Sequence, residues 1–152
     1  MLQLSSILYP DTVVCNDDHD NNQKKILEHV SALICTKDDM IKKQNVLTAL
    51  QQRERIGSTA LGHGIALPHA RIANLTKPIC CLITLKNAVV FDEDDKVAID
   101  IVWGLVVPED ATDEHLNILS KIAEKLTNKK YRENLRSATD SNTLYEAAIS
   151  DE

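Results

Sequence analysis

Residues 53–71 read RERIGSTALGHGIALPHAR, from Arg53 to Arg71, and no other stretch of the chain concentrates so many chemically active side chains. Three of the four glycines in the sequence (Gly57, Gly62, Gly64) lie here, and glycine marks turns of positive φ or places where another group approaches the backbone. Ile65-Ala66-Leu67 is a short apolar run suited to a buried strand. Pro68 biases Leu67 toward extended geometry and lacks an N–H of its own, so the strand is expected to stop there and present His69 at its end. A neutral imidazole on such a stiff support can act as nucleophile, base or metal ligand. Taken alone, the histidine reads more readily as a hydrogen-bonded structural group. Its neighbours reverse that reading: Arg53, Arg55 and Arg71 can neutralise an anion, and Ser58 and Thr59 can donate to one. Composition does not single out which arginine is functional.

The run from Arg53 to Arg71 resembles the active-site signature of the type 2 enzyme IIA domains of the bacterial phosphoenolpyruvate:sugar phosphotransferase system, the mannitol, fructose and nitrogen-type group. The resemblance covers almost the whole chain, from LSSILYPDTV at residues 4–13 to the end. It implies that His69, the histidine after the proline, carries a phosphoryl group. It also implies that Arg53 assists and that His115, in Glu114-His115-Leu116, is a second active-site histidine. Ser58, Thr59, His63, Gly64 and Arg71 are expected at the phosphoryl group or just behind it. His63 stands where many relatives carry asparagine between the two glycines, an exchange that a polar hydrogen-bonding role survives. Nitrogen-type members are the nearest match, by the wording GSTALGHGIALPHAR and by length.

At 152 residues the chain is expected to form one domain, residues 1–152, able to bury roughly 70% of its unfolded surface. Its net charge of −6, without a basic block, disfavours nucleic acid and anionic lipid as partners. The first residues lack a basic segment followed by a long apolar core, and no apolar run reaches membrane-spanning length, so a cytoplasmic protein without membrane insertion is expected. Cys15, Cys35, Cys80 and Cys81 form no C-x-x-C pair, and Cys80 and Cys81 point to opposite faces if they share a strand; all four read as reduced thiols in or near the core.

Along the chain, residues 2–8 suggest a short opening helix ended by Tyr9-Pro10-Asp11. Residues 15–22 read as a polar loop. His19 among Asp17, Asp18 and Asp20 raises the thought of a metal site, but closely spaced aspartates without a calcium-loop glycine carry little specificity. Ile26, Leu27, Val30, Leu33 and Ile34 predict an amphipathic helix over 22–35, with His29 a structural residue. Thr36 resembles the N-cap of a second helix that runs toward Gln52 and delivers Arg53. Residues 79–85 and 97–107 are β-branched apolar runs that fit strands covered on both faces, with Trp103 in the core and the acidic run 92–95 a turn. Thr112 is a candidate N-cap for a helix striped by Leu116, Leu119, Ile122 and Leu126, and helices are expected over 129–137 and 141–150. His115 then lies in the first turn, where the positive helix end disfavours a charged ring and attracts anions.

The fold expected from the resemblance is α/β: one mixed sheet flanked by helices on both faces. The implied function is phosphoryl relay. An HPr-like phosphocarrier docks upstream, His69 takes its phosphoryl group, and Arg53 and His115 stabilise the transferring oxygens without a metal or cofactor. Downstream stand regulatory target proteins or a IIB component; the absence of IIB and IIC segments from this sequence favours the regulatory role. Two other classes compete: a metallohydrolase built on His63, His69 and His115, and a binding module in which His69 is no longer phosphorylated.

Overall fold

The computed structural model describes residues 3–92, 94 and 96–150. Leu2 of the expected opening helix and Glu93 and Asp95 of the acidic turn lie outside the described residues.

A single 3₁₀ turn, Leu4–Ser6, takes the place of the opening helix and leads directly into strand β1, Leu8–Asp17. This strand replaces the turn and polar loop expected there. Pro10 and Asp11 do bend the chain: Thr12 Oγ1 bonds the backbone of Tyr9 in both directions and also donates to the carbonyl of Cys80. The pairing with the next strand shifts register at this bend. An edge strand tolerates such a bulge and the missing N–H of proline, so the ladder resumes at Val13.

Helix α1, Gln23–Cys35, opens under Asn22, whose side chain accepts from Lys25 N–H at 2.9 Å. It buries Ile26, Leu27, Val30 and Ile34 against the sheet, each contributing roughly 1.5–3 kcal/mol of transfer free energy. Thr36 closes this helix instead of opening the next, its hydroxyl donating back to Leu33 O at 2.6 Å. Helix α2 begins later, at Lys43, and runs to Ile56, so that Arg53 and Arg55 occupy its last turn. Arginine suits that position, where helix carbonyls lack partners.

The signature region folds as three short strands: β2 (Ala60–Gly62), β3 (Ile65–Ala66) and β4 (His69–Ile72). Pro68 was expected to end the strand, and it does interrupt the bonding. The chain nevertheless continues along the same neighbour in the same register, Ile65 opposite Ile101 and His69 opposite Leu105. The Pro68 carbonyl bridges the gap by accepting from Leu105 N–H at 3.0 Å. Two long strands, β5 (Ile79–Asp92) and β6 (Val97–Pro108), form an antiparallel pair at the centre. The chain ends in α3 (Asp113–Leu126), α4 (Lys129–Ser137) and α5 (Ser141–Ala148).

The sheet is mixed, as expected: six strands among the described residues run in the order β1-β5-β6-β3-β2, with β4 also on β6. One core lies between the sheet and α3, α4 and α5, around the fully buried Trp103; the other lies between the sheet and α1 and α2. Cys80 faces the first and Cys81 the second, and all four cysteines are free thiols. Gly104 lets α1 approach, since a Cβ there would stand 2.6 Å from Val30 Cγ1 and 2.7 Å from Cys81 Sγ. No helix among the described residues is long and apolar enough to cross a membrane.

Candidate functional site

His69 is the first residue of β4, half-buried beside Leu105. The segment before it is pinned from two directions. Leu67 N–H donates to Thr59 O, and Pro68 O accepts from β6, each at 3.0 Å. The Leu67 carbonyl in turn lies 2.7 Å from His69 Nδ1. Since a carbonyl only accepts, Nδ1 carries the proton and the lone pair resides on Nε2. Burial holds the His69 pKa below its ordinary value of 6.5, partly opposed by the Leu67 bond and reinforced by the positive charge of Arg53. The ring is therefore neutral at neutral pH, with Nε2 as a nucleophile.

His69 opens onto a cleft of about 470 Å³ at the edge of the sheet, between the end of α2 and the first half of α3. Arg53 and Arg71 line it with His69, and Ala49, Gln52, Ile56, Leu116 and Leu119 supply the remaining helical wall. Arg53 Nη1 donates to Gly57 O at 2.8 Å, so the guanidinium is held at the helix end while its other N–H groups remain to be used. Arg71 leaves β4 on the same face as His69, two residues on, and bonds Glu109 O at 3.0 Å. Arg55 is exposed and does not line the cleft. Geometry thus separates Arg53 and Arg71, which line the cleft with His69, from Arg55, which does not.

The remaining expected site residues are placed differently. His115 lies in the first turn of α3, beside the cleft-lining Leu116, and its Nδ1 is buried without a hydrogen-bond partner. Ser58, Thr59, His63 and Gly64 do not line the cleft. Ser58 Oγ accepts from Ala60 N–H at 3.1 Å, a local turn bond. Thr59 is buried and donates through both its hydroxyl and its N–H to Glu54. His63 has φ 56° and offers its carbonyl to Arg136 Nη2 on α4. Gly64, at φ 78°, passes so close to the Arg136–Asp100 ion pair that a Cβ would stand 2.9 Å from an atom of each. Ser58 and Thr59 thus have their side-chain oxygens engaged locally, while His63 and Gly64 supply the positive-φ backbone of the turn.

Sequence reasoning missed Glu54, which anchors Thr59 and with it the carbonyl under Leu67. Burial raises its carboxyl above the ordinary range, against the lowering effect of the two Thr59 bonds. It also missed Ile56, which is 84% exposed on the cleft rim; an apolar residue at a helix end is read from sequence as core. His63, His69 and His115 do not converge: among the described residues, no metal-sized group of ligands contains them.

Residues 6–150 match the family described as "Phosphoenolpyruvate-dependent sugar phosphotransferase system, EIIA 2", and the chain belongs to that family. Its relatives include a nitrogen regulatory protein of Pseudomonas aeruginosa, 35% identical over 149 residues that cover 98% of this chain and 96% of the relative. The crystal structure of the nitrogen regulatory protein IIA-Ntr from Neisseria meningitidis superposes with a TM-score of 0.85 at 30% identity, covering 94% of this chain and 97% of that one. Enzyme IIA mannitol of Escherichia coli, solved in complex with phosphorylated enzyme IIB mannitol, shares the fold at 16% identity with a TM-score of 0.74, over 93% of this chain and 98% of that one. The members of the family are components of a phosphotransferase system.

Proposed function

We propose that this chain is a phosphoryl carrier that accepts its phosphoryl group on His69 from an HPr-like phosphocarrier and acts as a nitrogen-type regulatory IIA protein. The observation that carries the reading is the unshared Nε2 of a neutral His69, open to a cleft that also holds Arg53 and Arg71. In the transfer, the Nε2 lone pair attacks the phosphorus of the carrier's phosphohistidine in line. The new N–P bond forms as the old one breaks, and its electron pair returns to the carrier's ring. Arg53 neutralises charge on the equatorial oxygens, and His115 contributes from the start of α3, where the helix end favours anions. The phosphorylation state then alters the surface around the cleft and with it the affinity for regulatory target proteins.

The test is intact-protein mass after incubation with phosphoenolpyruvate, enzyme I and an HPr-like carrier. One acid-labile phosphoryl group on the wild type and none on His69→Ala supports the relay. No label on a folded wild type, with the upstream proteins active, refutes it. The sugar-specific alternative is separated by adding a IIB component: rapid loss of label to IIB and on to sugar assigns the chain to uptake, whereas retention assigns it to regulation.

A further inference from the structure

A second group of chemically active side chains lies away from the His69 cleft. Asp17 closes β1, Asp20 follows in the loop, and His29 reaches across from the second turn of α1. His29 Nδ1 is 2.6 Å from Asp20 Oδ2 and 3.8 Å from Asp17 Oδ2, and one ligand atom from each of the three lies within 4.8 Å of the others. Asp17 is only 7% exposed, and its Oδ2 is buried with no hydrogen-bond partner. Its Oδ1 is engaged, accepting from His19 N–H at 3.2 Å. A buried carboxylate oxygen facing an imidazole and a second carboxylate, with no donor of its own, is costly unless something positive joins it. Next to Asp17 and Asp20 is a hollow of about 370 Å³, lined also by Asp18, Asn21 and Asn87, with room for water.

We propose that Asp17, Asp20 and His29 bind one divalent transition-metal ion of the Mn²⁺ or Zn²⁺ kind, through one carboxylate oxygen of each aspartate and through His29 Nδ1, with water completing the shell. The mixed donor set argues for this class: imidazole suits Mn²⁺ and Zn²⁺ beside carboxylate, whereas Mg²⁺ and Ca²⁺ take oxygen ligands. Ligands about 2 Å from a common ion stand roughly 3 Å from one another, so small side-chain rotations convert the observed triangle into a coordination face. The histidine in this group is His29, from a helix; His19, the one adjacent in sequence, is exposed and paired with Asp18 at 3.4 Å.

The ion ties the end of β1 to α1 and has no part in phosphoryl transfer. Asp17 stands opposite Leu85 of β5, while His69 stands level with Cys80 through Leu105. Five residues of strand, roughly 17 Å, therefore separate the two levels along the sheet.

The test is titration of chelator-treated, reduced, full-length protein with Mn²⁺, read by the EPR signal of the unbound ion, and with Zn²⁺ by calorimetry, each paired with thermal melting. One equivalent of either ion is expected to bind and raise Tm. Asp17→Asn and His29→Gln are each expected to weaken that binding at least about tenfold, and His19→Gln to leave it unchanged. Circular dichroism checks that each variant is folded, and if Asp17→Asn does not fold, His29→Gln decides. No saturable binding of either ion by the wild type overturns the proposal, as does binding that survives both ligand variants or is lost in His19→Gln.

Discussion

His69 donates its Nδ1–H to the carbonyl of Leu67, two residues earlier, across 2.7 Å. That one bond assigns the tautomer and leaves Nε2 as the nucleophilic nitrogen. It exists because Pro68 keeps Leu67 extended and because Thr59 and Leu105 hold the backbone on either side of the proline. The chemical choice between two ring nitrogens is thus made by backbone geometry.

The first prediction concerns pH. Burial depresses the His69 pKa below 6.5, so phosphoryl uptake should keep its rate as pH falls from neutral to 6.5 and decline only below it. Linkage has a definite sign. Between the depressed folded value and 6.5 the unfolded chain binds more protons, so the stability that neutral His69 contributes is complete above 6.5 and is lost as pH falls through the folded value. NMR titration of the ring together with single-turnover rates checks both; a midpoint above 6.5 contradicts the assignment.

Arg53→Ala should slow phosphoryl uptake by roughly 100-fold or more, the usual cost of removing one charge-stabilising donor. The same change should raise the His69 pKa, because the Arg53 charge now lowers it. Rapid-quench rates and the ring titration report the two effects separately. Arg55→Ala, which alters an exposed side chain outside the cleft, serves as the control and should leave both unchanged.

Two glycines carry structural predictions. Gly64→Ala places a Cβ against Arg136 and Asp100 at a backbone φ of 78°, and should cost about 1–3 kcal/mol in urea denaturation. Gly104→Ala drives a methyl into Val30 and Cys81 and should cost about 1–3 kcal/mol by overpacking. Below its unfolding transition, the Gly64 variant should still be phosphorylated on His69, since Gly64 does not line the cleft. Loss of labelling in a folded Gly64→Ala would return that residue to the phosphoryl site.

Ile56 is exposed on the rim of the cleft, where the proposed relay requires the upstream carrier to dock so that its phosphorus reaches Nε2. Ile56→Asp should raise KM for the phosphorylated carrier with little change in kcat or Tm. Steady-state transfer at varied carrier concentration measures this, and an unaltered KM would place docking on another face.

Periodic patterns were legible without coordinates: the stripes of α1, α3, α4 and α5, and the β-branched runs of β5 and β6, follow from faces that must be buried. The start of α2 was not. Asp38 Oδ1 accepts from Met40 N–H at 2.8 Å and Thr36 bonds backward, so residues that resemble a helix cap make an isolated turn and a helix end. Strand β1 was hidden because Tyr9-Pro10-Asp11 is locally a bend; its neighbour β5, some seventy residues away in sequence, overrides that preference with a ladder.

The sequence by itself determined which residue stands out as the candidate for the chemistry. Glycine, proline and histidine chemistry is written into the order of residues 53–71, and His69 is defined by its covalent neighbours. Tertiary structure alone decided the company that His69 keeps. Arg53 and Arg71 line its cleft while Ser58, Thr59, His63 and Gly64 serve neighbouring backbone and ion pairs, because side-chain partners depend on the strand register of β3 and β4 along β6 and on where α2, α3 and α4 close over the sheet. The packing of α1 against the sheet likewise turned His29 toward the buried carboxylate of Asp17, twelve residues earlier, a pairing that the sequence pattern does not show.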